Sequence, residues 1–393
     1  MFSKLTAQAP DKIIALIAQY AADPRGDKVD MGVGVYKDAQ GRTPIIRAIK
    51  TAEQRHWEAE TTKTYKALIG DGVFISGMRG LVLGDVAADR VAGAQSVGGT
   101  GAIYTLLDLV RTIEPQARVW MSDPTWPNHA AIIGHLGLAS RSYRYFDAET
   151  REVDFEAMRA DLAGAGPGDV ILLHGCCHNP TGANLTLAQW EEITDMALAQ
   201  GFLPFVDFAY QGFGDGLEAD AAGVRAMASR VPQMLIATSC SKNFGLYRDR
   251  IGAAMVLCET PATAALARGT METLNRVHFS FPPDHGAALV ASVLSDPALR
   301  ADWVAELEGM RLRMLSLRTG LADALRREAN DDRFDFIARH RGMFSRLGAS
   351  PAQVERLRAE HGIYMVGDSR MNIAGLPEDR LDHLARAFVS VGL

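Results

Sequence analysis

The sequence of 393 residues has few cysteines, no large excess of either charge and no long apolar run. Only Cys176, Cys177, Cys240 and Cys258 occur, without a C-x-x-C pair, so a disulfide framework is not expected. Acidic residues outnumber basic ones by 47 to 41, a formal charge of -6, which argues against a nucleic-acid partner. No apolar run approaches membrane-spanning length, and the N-terminal stretch lacks a basic start followed by an unbroken apolar core. A soluble, cytoplasmic protein without membrane association is therefore expected. A metal is not expected either. The cluster His174-Gly175-Cys176-Cys177-His178 crowds the end of one apolar strand with no second ligand pair after it. Packing and hydrogen bonding are the expected uses of these side chains.

What is present is an alternation of short apolar strands and amphipathic helices from about residue 95 to 260. Candidate strands lie at 119–122, 142–145, 170–173, 203–206, 235–238 and 254–257, mostly near-continuous apolar runs of the kind buried on both faces. Between them, Leu187 to Ala199 reads as a helix with a capping box from Thr186 and Gln189. This pattern predicts an α/β fold, a mostly parallel sheet covered by helices on both faces. Trp303, Leu307, Met310, Met314 and Leu317 at helical spacing predict one long helix over about 297–328. Beyond it, short strands near Phe334–Ile337 and Met343–Leu347 and helices near 351–361 and 377–389 read as a smaller α+β domain. The N-terminal segment, with a helix from Asp11 to Tyr20, is expected to join that domain. The expected boundaries are 1–45 and 298–393 for the small domain and 46–297 for the large one.

The residues that carry chemistry fall just after predicted strands, where parallel α/β sheets bind ligands. Lys242 follows Ser239 and Ser241 and precedes Arg250, a grouping suited to an aldehyde with a phosphate tail. Taken alone, Lys242 reads as a solvated surface charge. Gly98-Gly99-Thr100-Gly101 opens a helix whose amide groups could face an anion or simply be capped. Trp126 suits either stacking on a flat ring or core packing. Asn179 lies in a turn-like tetrapeptide after a strand. Asp207 ends an apolar strand shortly before Tyr210, and a carboxylate there needs a cationic partner; a protonated pyridine nitrogen, or His129 alone, would serve.

In this order the motifs resemble those of the fold-type I pyridoxal-phosphate aminotransferases of the aspartate and aromatic amino acid group. The resemblance runs nearly end to end, through Gly32 to Asp38, Glu60 to Tyr65, His174 to Gly182, Ser241 to Tyr247 and Arg370 to Gly375. Bacterial enzymes acting on both aromatic and dicarboxylic amino acids look most similar. The resemblance implies pyridoxal 5'-phosphate as cofactor, amino acids and 2-oxo acids as substrates, ping-pong transamination and a homodimer with shared active sites. It implies that Lys242 holds the cofactor as a Schiff base and then moves a proton between it and the substrate Cα. Asp207, backed by His129, would keep the pyridine nitrogen protonated, and Tyr210 and Asn179 would hydrogen-bond the ring oxygen. Trp126 would stack on the ring. Gly99, Thr100, Ser239, Ser241 and Arg250 would hold the phosphate together with the partner subunit's Tyr65. Gly34, Trp126, Asn179 and Arg370 would contact substrate, Arg370 at the α-carboxylate, and the partner subunit's Arg276 would meet a distal carboxylate. Read locally, Arg276 is an ordinary surface arginine on a helix.

Retention of Arg276 implies dicarboxylate binding. Phe281, in His278-Phe279-Ser280-Phe281, stands where the aspartate group usually has asparagine and makes the wall more apolar. Thr64 also departs from that group, whereas Val35, Lys37, Thr43 and Thr100 follow it. The resemblance therefore implies an aromatic amino acid aminotransferase that retains aspartate and glutamate activity. The alternatives are a plain aspartate aminotransferase, a lyase or decarboxylase, and a pyridoxal-phosphate sensor without turnover. The sensor usually carries an added basic DNA-binding domain.

Overall fold

A computed structural model describes residues 2–7 and 12–393. The chain divides into two compact units, one of Pro44–Arg313 and one of the residues up to Thr43 with Met314–Leu393. The division falls inside the long helix, which spans Pro297–Ala329.

The larger unit is built on a seven-stranded sheet. Its strand order is Val91–Val97, Ile251–Leu257, Met234–Ser239, Leu203–Phe208, Asp169–His174, Arg118–Asp123 and Ala139–Arg144. Six strands share one direction, and Ile251–Leu257 runs against both of its neighbours. The central strands Asp169–His174, Met234–Ser239 and Ile251–Leu257 are buried at every residue, as their unbroken apolar runs predict. Helix Gly98–Ile113 buries Ala102, Ile103, Leu106, Leu107 and Val110 in the core beside the sheet residues Val119, Phe205 and Ala254. Helix Leu187–Gln200 has both bonds of the capping box, Gln189 N to Thr186 Oγ1 and Thr186 N to Gln189 Oε1.

Two features of this sheet differ from the sequence reading. Strand Val91–Val97 is an addition; its alanine, glycine and glutamine have low strand propensity, and pairing along Ile251–Leu257 orders it. The edge strand is shifted to Ala139–Arg144, where only Tyr143 is buried.

In the smaller unit Phe344–Arg346 pairs antiparallel with Arg370–Asn372, and Val29–Asp30 pairs with Ile363–Tyr364. Helices Pro351–His361 and Leu381–Ser390 occupy the expected places, the second after a short 3-10 turn at Glu378–Arg380. The N-terminal helix spans Lys12–Ala22; Asp11, its expected start, lies outside the described residues. Phe334–Ile337 is not a strand. Its main chain turns through Ile337 N to Phe334 O and His340 N to Phe336 O into the short helix Phe336–Arg339. A run of four residues with three apolar ones fits either conformation, and burial of Phe334, Phe336 and Ile337 is met by the helix. Among the described residues, no helix is long and apolar enough to cross a membrane.

Candidate active site

The shared direction of six strands puts the segments after Val97, Asp123, His174, Phe208 and Ser239 at one edge of the sheet. The antiparallel Ile251–Leu257 starts at that same edge and so brings Arg250 to it. Gly98, Thr125, Trp126, Asn179, Tyr210 and Lys242 all follow from this topology.

One end of the edge is a cradle for an anion. Helix Gly98–Ile113 starts directly after its strand, and Val97 gives its N-terminus no side-chain cap. Gly98 has φ +67°, and a Cβ there would sit 2.5 Å from Arg250 Nη2. The glycine thus lets the helix start lie against the guanidinium. Gly99 approaches Ser239 in the same way, with a built Cβ 3.0 Å from the serine Cβ. Arg250 Nη1 donates to Ser241 Oγ at 3.1 Å and to Tyr247 O at 3.1 Å, while Ser239 Oγ accepts from Ser241 N at 3.2 Å. Thr100 is half-buried in the first turn of the helix. A helix N-terminus, a guanidinium and two hydroxyls at one point suit a phosphate dianion.

Deeper in the edge, His129 Nε2 donates to Asp207 Oδ2 at 3.0 Å, and the His129 side chain is fully buried. Thr125 Oγ1 lies 2.8 Å from His129 Nδ1 and 3.2 Å from His174 Nε2. The threonine hydroxyl thus bridges the two imidazoles. Burial raises the Asp207 carboxyl pKa, but the His129 hydrogen bond and nearby positive charge, Lys242 included, outweigh it. The net shift is below the usual carboxylate value, so Asp207 holds its charge. Trp126 stands edge-on to His129 with ring centroids 5.2 Å apart. Lys242 Nζ lies 4.7 Å from the centre of the Tyr210 ring, and Tyr210 and Asn179 are both buried.

The turn that carries Lys242 is fixed from below. Gly245 N bonds Lys242 O, Phe244 stacks on Trp303 at 4.4 Å, and Trp303 Nε1 donates to Asn243 O at 2.7 Å. Asn243 Nδ2 reaches Gln211 O at 3.2 Å, which ties the lysine turn to the Tyr210 segment.

A separate surface cluster joins Tyr65, Phe281 and Arg276. Tyr65 is 82% exposed and stacks on Phe281 at 4.6 Å; Arg276 lies over the same ring at 5.9 Å and bonds Ser280 Oγ. In the smaller unit, Arg370 Nη2 donates to Gly32 O at 3.0 Å and the guanidinium rests 4.5 Å from the centre of the Phe344 ring. The tip of that ring approaches Gly34, where a Cβ would come within 2.8 Å of Phe344 Cζ.

A model of the family described as aminotransferase class I and II matches residues 26–388. The chain belongs to the class I and II aminotransferases. It is 59% identical to an aromatic-amino-acid aminotransferase of Paracoccus denitrificans over the whole of both chains. A solved aromatic amino acid aminotransferase with 3-indolebutyric acid matches it with a TM-score of 0.98 at 59% identity, each chain fully covered. The aromatic-amino-acid aminotransferase of Burkholderia pseudomallei, covalently bound to pyridoxal phosphate, gives a TM-score of 0.97 at 41% identity. That match covers 100% of this chain and 99% of the other.

Several residues of the aminotransferase edge carry structure that the sequence reading did not assign to the site: Thr125, His174, Asn243 and Trp303. Thr125 and His174 meet across 49 positions, and only the pairing of their strands brings them together. The motif 174–178 splits in two. His174 and His178 turn to Thr125 and Ser122, whereas Cys176 and Cys177 come within 4.8 Å of Asp220. Ser122 Oγ donates its own hydrogen to Pro124 O, so His178 Nε2 is the donor in the contact with Ser122. The Asp220 carboxylate is occupied by the N–H groups of Gly212, Gly214 and Asp215, and burial pushes the Cys176 thiol up.

Burial, with His129 beside it, pushes the His174 imidazole down to about 3. Below an ordinary value of about 6.5 the unfolded chain binds a proton here that the folded chain excludes until about pH 3. Stability should therefore fall as pH drops through that window, this group contributing up to about 1.4 kcal/mol per pH unit. Denaturant midpoints of the wild type and His174→Gln between pH 7 and 4 check this. The variant should lose less, and equal losses would contradict the assignment.

Proposed function

We propose that the protein is an aromatic amino acid aminotransferase, a cytoplasmic homodimer that uses pyridoxal 5'-phosphate. It moves the amino group of phenylalanine, tyrosine or tryptophan, and also of aspartate or glutamate, to 2-oxoglutarate or another 2-oxo acid. The observation that carries this reading is the convergence, at one sheet edge, of a primary amine, a buried charged carboxylate and an uncapped helix start beside a guanidinium. That donor set fits the cofactor's aldehyde, pyridine nitrogen and phosphate.

When bound, the cofactor supplies an electron sink for the charge left at the substrate Cα. Lys242 Nζ would hold the aldehyde and, once freed by the incoming amino acid, would carry the proton lost from the substrate Cα to the cofactor's aldehyde carbon. Asp207 holds a proton at the pyridine nitrogen, and His129 and Thr125 keep the carboxylate oriented and ionised. Tyr210 and Asn179 would donate to the ring oxygen, and Trp126 would cover the ring face. Gly99, Thr100, Ser239, Ser241 and Arg250 hold the phosphate with the partner subunit's Tyr65. Gly34 and Arg370 receive the substrate, Arg370 pairing its α-carboxylate in a bidentate contact that lysine cannot copy. The first oxo acid leaves before the second binds, which makes the kinetics ping-pong.

The partner subunit's Arg276 would meet the distal carboxylate of aspartate or glutamate. A buried arginine deprived of its carboxylate is costly. In this chain Arg276 bonds Ser280 Oγ, which offers the guanidinium a partner when an aromatic ring, rather than a carboxylate, lies against the Phe281 wall. Its exposure, and that of Tyr65, suits a role across an isologous interface. Sedimentation at twice the 42.5 kDa chain mass checks the dimer. The substrate test is kcat/KM for phenylalanine, tyrosine and aspartate with 2-oxoglutarate. Values within about 100-fold of one another are expected. Fast aspartate turnover with negligible aromatic turnover would make the protein a plain aspartate aminotransferase.

A further inference from the structure

We propose that Arg318 is a positioning residue for carboxylate recognition: its guanidinium fixes Phe344, the ring on which Arg370 rests. The inference depends on the reading that Arg370 takes the substrate α-carboxylate.

Arg318 sits on the long helix Pro297–Ala329 and is 0% exposed. A buried guanidinium is expensive unless its donors are satisfied, and here they converge on one stretch of main chain. Nη2 donates to Phe344 O at 2.7 Å, Gly342 O at 2.8 Å and Arg341 O at 3.2 Å. Nη1 donates to Ile337 O at 3.0 Å and Ser345 Oγ at 2.8 Å, and Nε reaches Gly342 O at 3.3 Å. The stretch from 337 to 345 holds little regular structure, only the end of a four-residue helix and part of a three-residue strand. Arg318 therefore supplies much of its order. A lysine has three donors on a point charge and cannot reproduce the planar fork of five.

Phe344 is the residue through which that order reaches the substrate side. It pairs with Asn372 in the strand that begins at Arg370. Its ring lies under the Arg370 guanidinium, and the ring tip closes on the main chain at Gly34. Asn372 Nδ2 donates to Val33 O at 2.6 Å and Val35 O at 2.8 Å, so the Gly32–Val35 segment is tied to the same strand. Bidentate recognition depends on the plane of the guanidinium, which the Phe344 face and the Gly32 carbonyl set together. A misplacement of about 1 Å at such a contact costs up to about 100-fold in rate.

The test compares phenylalanine with 2-phenylethylamine, which keeps the ring and the amine but lacks the carboxylate. The half-reaction of the holoenzyme is followed by the absorbance change of its cofactor. Arg318→Lys should lower kcat/KM for phenylalanine by about 10- to 100-fold and leave 2-phenylethylamine within about 3-fold, so discrimination between them collapses. Phe344→Leu should do the same, and Ser345→Ala should shift discrimination in the same direction by less. These two variants carry the test if Arg318→Lys does not fold. An equal fall for both amines would mean a general loosening of the small unit and would overturn the proposal, as would unchanged discrimination. Arg370→Lys is the control: if it leaves discrimination intact, the carboxylate role of Arg370 itself fails. If Arg370→Lys collapses discrimination and the other variants do not, only the positioning role fails.

Discussion

Lys242→Ala abolishes transamination, with kcat for phenylalanine and aspartate falling by at least about 10,000-fold, the upper range for loss of a positioned general base. The loss is this large because one amine has two duties, binding the cofactor aldehyde and carrying the Cα proton. Tyr210, whose ring centre lies 4.7 Å from Nζ, cannot take over both duties, because a phenol does not bind the aldehyde. Folding should survive. The turn is held by Phe244 on Trp303 and by Asn243 to Gln211, none of which uses the Lys242 side chain. The variant should retain the cofactor through the phosphate cradle of Arg250, Ser239, Ser241 and the helix start, now without a covalent link. Single-turnover absorbance after mixing with phenylalanine checks this. Residual turnover within 100-fold of the wild type would remove Lys242 from proton transfer.

Asp207→Asn has the second largest effect, a fall in kcat of about 1,000-fold, comparable with the loss of one preorganised electrostatic contact. The swap keeps shape and leaves an oxygen for His129 Nε2, so it tests charge rather than geometry. An amide cannot hold a proton on a pyridine nitrogen, and the electron sink weakens accordingly. Removing a buried charge need not destabilise the fold, so thermal stability of the holoenzyme should change little while kcat collapses. Thr125→Ala, which reaches Asp207 through His129, should cost about tenfold or less. A kcat for Asp207→Asn near that of the wild type would contradict the assignment of the carboxylate.

Both residues stood out in the sequence because Asp207 ends an apolar strand and Lys242 follows one. Lys242 taken alone reads as a surface charge, and only the order of the motifs singles it out. The buried strands were legible from their apolar runs. Val91–Val97 was not, since its composition carries no apolar pattern and its order comes from a partner more than 150 positions away. The reversed direction of Ile251–Leu257 likewise has no local signature, although it is what delivers Arg250 to the cradle. Phe334–Ile337 was misread because burial of three apolar side chains does not distinguish a strand from a single helical turn. Thr125 and His174 required strand pairing to be seen together. Arg318 had a signal: it lies four positions after Met314 and three before Leu321, on the apolar face of the long helix, where a charge needs an explanation. What it holds, a stretch some twenty residues further along, only the fold reveals.

The central claim is that one site transaminates both aromatic and dicarboxylic amino acids. The most direct measurement supplies phenylalanine and aspartate together, with 2-oxoglutarate fixed, and follows each oxo acid product. One shared site predicts mutual competition, each amino acid inhibiting the other with a constant within about twofold of its own KM. Product rates that simply add, or phenylalanine turnover that aspartate leaves untouched, would contradict it.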